Sequence, residues 1–468
     1  MTYVYRLLIL FLFSHYLIGQ VSLGPISQIS EEKINTLFCF NNTSLMAGNT
    51  ATDRYIVYYS SDSIFLTLNQ SGIWTRKIAH TGNNIQSATT CFFQDTIWIC
   101  WKEGNSIKAH YTSDKGASWS TIYTVSQIGN ASAPSVYAGQ NGKIHFVWSL
   151  STLTDTLIYY RSISNNAFDA PPVSISNIGA QGLWPSIVCL GDTVLCTWKE
   201  HPLPAKVWFR SSYSGGTTWN ASVQPTTALT NIKDPNLAVS VNPITQSFYT
   251  FLAYDGSNKI YLQRSSDWGT TWSSPDLLGN PNKLCQFAHI ECNNSGFVGV
   301  SYEYRNGGTI FDDTKKDVGF IFSSSYADPG SFGNDSLAYT YNPLGSLYTA
   351  IDKIDSTLFF LSWLTKDTIN NKVLVFERSI NINPSSSDRN TNGNPTKAID
   401  IYPNPAESEI HFKTNSTNLL EIVLYNIWGE ICGEYNQPDF SIKDLPSGVY
   451  ICKITTHDGC SFARFIKK

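Results

Sequence analysis

Thr112-Ser-Asp114-Lys-Gly116-Ala-Ser118-Trp119 and Ser265-Ser-Asp267-Trp-Gly269-Thr-Thr271-Trp272 are two copies of one pattern, Ser/Thr-x-Asp-x-Gly-x-Ser/Thr-Trp. A third, Ser212-Tyr-Ser214-Gly-Gly216-Thr-Thr218-Trp219, has Ser in place of Asp. A fourth, Thr67-Leu-Asn69-Gln-Ser71-Gly-Ile73-Trp74, keeps the spacing but loses the Asp and Gly. Worn copies end at Phe168 and Phe332. An Asp in a tight turn accepts hydrogen bonds from backbone N–H groups just ahead of it, Gly supplies a permissive backbone, and a Trp ring can return to pack in a sheet. Asp114, Gly116, Trp119, Ser214, Gly216, Trp219, Asp267, Gly269 and Trp272 are therefore expected to hold turns and not to carry chemistry. The anchors recur roughly every 45 to 60 residues, the length of one four-stranded propeller blade.

Each copy has the same neighbours. Two strand-like runs precede it, as in Lys143-Ile-His-Phe-Val-Trp148 and Leu157-Ile-Tyr-Tyr160. A third follows, as in Thr121–Val125, and a short run such as Pro134-Ser-Val-Tyr137 opens the next unit. This spacing gives units near 36–80, 87–126, 133–175, 184–228, 235–279, 286–340 and 347–380. The last lacks a strand that Val21–Ile29 can supply, closing the ring and removing its exposed edges. Aromatics make up 13% of the chain and only 2 Met occur. With short apolar runs cut by Gly, Asn, Asp and Pro, that composition is all-β. The expected fold is a six- or seven-bladed β-propeller, with seven preferred, followed by a small β-sandwich.

The ends of the chain differ from its middle. Arg6 precedes the apolar run Leu7–Phe13, too short to span a bilayer, so residues 1–19 read as a signal peptide. The domain plan is then signal peptide 1–19, propeller 20–380, polar linker 381–397 and a strand-rich tail 398–468. With no second apolar run, the chain after signal cleavage is not expected to be an integral membrane protein.

The Trp-terminated motif resembles the Asp-box, or bacterial neuraminidase repeat, of secreted sialidase-like propellers. The tail is similar to the type A C-terminal sorting domain of the type IX secretion system. Its matching parts are Tyr402-Pro-Asn-Pro405, Leu424-Tyr-Asn-Ile-Trp-Gly-Glu430, Asp444-Leu-Pro-Ser-Gly-Val-Tyr450 and the ending Arg464-Phe-Ile-Lys-Lys468. That resemblance implies passage through the periplasm, contact of residues 398–468 with the type IX machinery, and a place outside the cell or on its surface. The sialidase resemblance implies an Arg triad for the substrate carboxylate, a Tyr–Glu nucleophile pair and an Asp acid/base. Yet the chain has no Arg-Ile-Pro or Arg-Leu-Pro. Arg161, Arg210, Arg264 and Arg378 stand at or near equivalent positions, on a strand leading into a real or degenerate box, as residues that serve the blade do. Arg305 alone breaks that pattern.

In Asp-box propellers the loops after each second strand open on the face opposite the box turns. Here those positions carry Trp101-Lys102-Glu103, Trp198-Lys199-Glu200-His201, Tyr254-Asp255, Glu303-Tyr304-Arg305 and Lys366-Asp367. Charged groups beside aromatic rings suit sugar recognition. Lys102, Glu103, Lys199, Glu200, His201, Asp255, Glu303 and Arg305 are accordingly the expected binding residues, the bland alternative being solvated Lys–Glu pairs of little energetic weight. Asp312, Asp313 and Asp317 lack EF-hand spacing, and no Zn, phosphate-loop or Gly-x-Ser-x-Gly pattern occurs. No cofactor and no metal are expected. A net charge of −4 without a basic cluster argues against nucleic acid. Cys91/Cys100 and Cys189/Cys196 flank hairpin turns at Asp95–Thr96 and Asp192–Thr193 and read equally as cross-strand disulfides or as small apolar fillers. Cys285 and Cys292 flank a similar turn. The expected function is a secreted or surface propeller engaging extracellular glycan or protein. The alternatives are an exo-α-sialidase or other glycoside hydrolase, and a structural or adhesion protein.

Overall fold

The computed structural model describes residues 20–33, 45–47, 54–383 and 400–468, apart from 61, 71, 128, 178, 227–231, 280–281, 306–315, 334–335, 340–345, 354–356, 368–369, 371, 414–418, 427–430 and 457–458. The expected signal peptide, most of the linker, and Asp312 and Asp313 fall outside the described residues, as does the Lys366 side chain. The chain divides into two units, one of Met1–Asn242 and Gln246–Pro384, the other of Pro243–Thr245 and Ser385–Lys468.

The first unit is a β-propeller. Its inner strands are Leu45–Ala47, Ile85–Phe93, Asn130–Ala138, Gln181–Leu190, Ile232–Val241, Leu284–Cys292 and Ser346–Lys353, each beside the next and the last beside the first. From each, further antiparallel strands run outward. Among the described residues, five sheets stand alone with four strands each. The eight strands between residues 130 and 212 form one sheet, because a parallel bridge, Thr156 to Gln181, joins two neighbouring repeats. The expectation of six or seven blades is thus corrected to five separate four-stranded blades and one eight-stranded sheet. The closing strand is present: Gln20–Lys33 runs antiparallel to Lys372–Asn383, from Val21 opposite Ile382 to Lys33 opposite Lys372. Both strands are longer than the expected Val21–Ile29 and the boundary at 380, because pairing continues as far as Gln20 with Asn383.

The turns at Asp114 and Asp267 are built alike. Asp114 Oδ1 accepts from the Ser118 N–H at 2.8 Å and from Thr112 Oγ1 at 2.7 Å, while Oδ2 accepts from Ser118 Oγ at 2.6 Å. Asp267 makes the same three bonds with Thr271 and Ser265. In the third copy, Ser214 Oγ takes the Thr218 N–H at 2.8 Å, so a hydroxyl replaces the carboxylate without changing the turn. The glycines are forced by packing as well as by φ. A Cβ on Gly269, at φ +84, would lie 2.0 Å from the Phe209 ring, and one on Gly216 would lie 2.0 Å from Tyr160 Oη. Each turn is therefore pressed against the preceding repeat, and the indoles of Trp219 and Trp272 donate back to the carbonyls of Gly216 and Gly269.

A second device recurs at the other end of the strands. In six repeats the inner strand carries a β-bulge, seen as register shifts after Gln86, Ser132, Leu183, Lys233, Gln286 and Leu347. Opposite each bulge the second strand presents a buried ring: Trp101, Trp148, Trp198, Tyr254, Tyr302 or Trp363. The first bulged residue takes positive φ at Ser87, Ala133, Trp184, Asp234 and Phe287. Pro134, Pro185 and Pro235 follow three of them, where a missing ladder donor is harmless.

The thiols settle against the disulfide reading. The hairpins close at Phe93 with Thr96 and at Leu190 with Thr193, one residue away from the expected folds. Cys91 therefore faces Trp98, Cys100 faces Thr89, Cys189 faces Val194 and Cys196 faces Ile187. All four are free and buried, and Cys285 and Cys292 are buried as well. They pack among apolar neighbours such as Phe146, Trp148 and Trp198.

In the second unit a three-stranded sheet (Asp400–Tyr402, Glu409–Lys413, Asp439–Ser441) and a four-stranded sheet (Leu419–Asn426, Ile431–Tyr435, Gly448–Thr456, Gly459–Lys467) share one core. Ile410 and Phe440 of the first meet Ile422, Leu424, Cys452 and Phe465 of the second, which makes the expected small sandwich.

Candidate functional site

The bulge sets the site. It re-aims the inner-strand residue at the end where the second strand exits. There, successive second-strand residues alternate in direction, so the residue after each buried ring points away from that ring. Those residues are Lys102, Ser149, Lys199, Asp255, Glu303 and Leu364. Trp184 and Asp234 are the bulged residues of two adjoining repeats, and Trp184 keeps 37% of its surface exposed.

Between these repeats the side chains converge. Lys199 Nζ stands 4.5 Å from the Trp184 ring centroid. Burial lowers the Lys199 pKa, aided by Lys233 and opposed by Asp234 and Asp255. Asp255 is 0% exposed. Burial, and then Asp234, push its carboxyl up to about 7 against the pull of Lys233 and Lys199. Its Oδ1 accepts the Asn258 N–H at 3.1 Å. Asn258 Oδ1 accepts from Gln286 Nε2 at 2.7 Å, and Gln286 Oε1 accepts from Arg305 Nη2 at 3.3 Å. A polar arc thus runs from Lys199 through Asp255, Asn258 and Gln286 to Arg305, across three successive repeats. Two atoms of the arc are buried without a hydrogen-bond partner among the described residues: Asp255 Oδ2 and Arg305 Nη1.

Of the expected binding residues, Lys199, Asp255 and Arg305 belong to this arc. His201 stands beside it, its pKa lowered by burial and by Lys199. Glu200 turns instead to Trp198, whose Nε1 donates to its Oε1 at 2.9 Å, and burial raises its pKa. Glu303 pairs with Lys316 at 3.7 Å. Lys102 and Glu103 lie apart, in the sheet of residues 85–124. Burial would raise Glu103, but donors from Trp101, Lys108 and His80, each within 3.1 Å of Oε2, outweigh it and lower the pKa. Trp184, Lys233, Asp234, Asn258 and Gln286 were not expected from the sequence. The available signal was Trp184-Pro185 and Asp234-Pro235, prolines inside runs that otherwise read as central strands.

The repeated arginines serve their blades. Arg161 donates to the carbonyls of Ala170 and Val125, Arg210 to those of Asn220 and Ile175, and Arg264 to that of Tyr326 and to Asp328. These three sit in separate repeats near the turn end and do not converge. Among the described residues, no group of three His, Cys, Asp or Glu could hold a metal ion.

The tail has a family. Residues 400–468 match the secretion system C-terminal sorting domain. That match puts the chain on the type IX secretion route, to the cell surface or the extracellular space. Among the described residues, no helix is long and apolar enough to cross a membrane. No curated protein matches the chain. Among solved structures, an ulvan lyase bound to -[GlcA(1-4)Rha3S]- is 12% identical, with a TM-score of 0.49 over 72% of this chain and 94% of its own. A protein of unknown function from Dyadobacter fermentans is 12% identical, with a TM-score of 0.44 over 76% and 99%. A Hadza microbial sialidase, Hz136, is 10% identical, with a TM-score of 0.43 over 70% and 74%.

Proposed function

We propose that the exported propeller binds extracellular glycan on the face opposite the Asp114 and Asp267 turns. The carrying observation is the polar arc from Lys199 to Arg305 beside the exposed ring of Trp184. An indole face stacks on the apolar side of a pyranose ring, and convergent polar groups fix its hydroxyls, the mix found at small-ligand sites. The turns at Asp114, Ser214 and Asp267 are, in this reading, Asp-boxes with a purely structural role. The binding reading is preferred to a sialidase because Arg161, Arg210 and Arg264 are occupied at the other end of their strands.

The test is a glycan array probed with the mature protein and with Trp184→Ala. Trp184 is half-exposed, so its removal spares the core. We expect the wild type to bind a defined set of glycans and the variant to lose that binding with an unchanged melting temperature. An array blank for the wild type, or equal binding by both proteins, would reject the reading. Release of sialic acid from a fluorogenic sialoside by the wild type would replace binding with hydrolysis.

A further inference from the structure

We infer that the ligand of this face is an anionic saccharide chain, carboxylated or sulfated, held by Arg305, Lys199 and Lys233. The inference rests on the glycan reading above and narrows it. Its foundation is the state of Arg305, which is only 7% exposed. Of its five donors, Nη2 meets Gln286 Oε1 at the long distance of 3.3 Å, and Nη1 is buried without a partner among the described residues. No carboxylate forms an ion pair with it among the described residues; Glu303, two positions away, is taken by Lys316. A buried guanidinium without a counter-charge is costly, and its planar fork matches two oxygens of a carboxylate or sulfate.

The surroundings have the same sign. Lys199 and Lys233 stand at the other end of the arc, and Lys283, its Nζ 3.9 Å from the Tyr304 ring centroid, stands near Arg305. Against these cations the arc holds two carboxylates, Asp234 and Asp255. Asp255 is faced by Asp234 and Lys233 from the inner strand, by Lys199 from the preceding repeat, and by the Asn258 N–H from its own turn. Lys259, on the next strand, is directed to the Lys283 carbonyl at 2.6 Å, and Gln286 is neutral. Burial favours the proton on Asp255, and Asp234 reinforces it, so the carboxyl is partly neutral near pH 7. Protonation removes a negative charge facing the bound anion, and the anion in turn favours the proton. Affinity therefore rises as pH falls through about 7. The arc crosses three repeats, which suits several sugar residues of a chain better than one terminal residue.

The experiment measures binding of the mature protein to polygalacturonate, dextran sulfate and neutral dextran between about pH 6 and pH 8. The first two arms separate carboxylate from sulfate recognition. We expect binding to at least one polyanion, none to dextran, and a loss with added salt. Arg305→Gln should weaken binding about ten- to a hundredfold. Asp255→Asn, which mimics the neutral acid, should strengthen it at pH 8 and remove its pH dependence. That gain does not depend on how well Arg305→Gln folds. Dextran binding as tight as that of both polyanions, or weaker binding by Asp255→Asn, would overturn the inference. If the array then shows neutral glycans bound, the broader glycan reading survives; if the array is blank, both fall.

Discussion

Asp255 shows how a single side chain ties the fold to its chemistry. It follows Tyr254, the ring buried opposite the bulge, and so points into the junction with the preceding repeat. A carboxyl whose folded pKa is raised binds protons more tightly in the native state than in the unfolded chain. Stability is then highest below the unfolded value near 3.8 and falls as pH rises toward about 7, above which the whole penalty applies. A shift of that size corresponds to roughly 4 kcal/mol. We expect Asp255→Asn to melt above the wild type at pH 8 and with it at pH 4, because the amide oxygen still accepts the Asn258 N–H. Equal melting at both pH values would mean that the carboxylate is better solvated than its burial implies.

At the scale of the strand, Trp198 and its bulge do two things at once. The indole fills the space opposite Leu183–Ser186, and its Nε1 supplies Glu200 with a donor. Trp198→Phe keeps most of the volume but leaves that carboxylate short of a partner, with Lys206 as its remaining cationic influence. We expect a loss of about 1–3 kcal/mol in urea titration, smaller at low pH where Glu200 is protonated. The repeat itself was legible from the sequence because its anchors are local: an Asp or Ser accepting N–H groups four residues on, a Gly and a Trp. The rim positions Lys199 and Asp255 were legible for the same reason, since they follow a recognisable aromatic. Trp184 and Asp234 were hidden because a bulge is defined by its partner strand, and only the prolines betrayed it. The thiol pairs failed for a related cause. A hairpin turn placed one residue earlier than assumed moves every cross-strand partner.

For the whole molecule, sheet separation was the least legible property. The length of the repeat says where each unit begins, but the Thr156–Gln181 bridge that fuses two of them depends on how two strand ends approach. The sorting tail was readable because its short motifs are ordered along the sequence, and its sandwich core of Ile410, Leu424, Cys452 and Phe465 is its own. Removal of residues 400–468 should leave the propeller with its melting transition and hold it in the periplasm, which cell fractionation and immunoblotting will show. Appearance of the truncated chain in the medium would contradict the assigned route.

The clasp between Gln20–Lys33 and Lys372–Asn383 also governs when this protein becomes itself. Its first pairing, Gln20 with Asn383, spans 363 positions (383 − 20). Joining ends so far apart forfeits about 5 kcal/mol of chain entropy before any contact repays it. Sheets whose strands are local in sequence can form early, whereas the last sheet waits for nearly the entire propeller. Until then the strand Lys372–Asn383 presents a bare edge, open to other chains and to proteases. Completion is a late event, so the interval between synthesis and closure is when the chain most needs an escort.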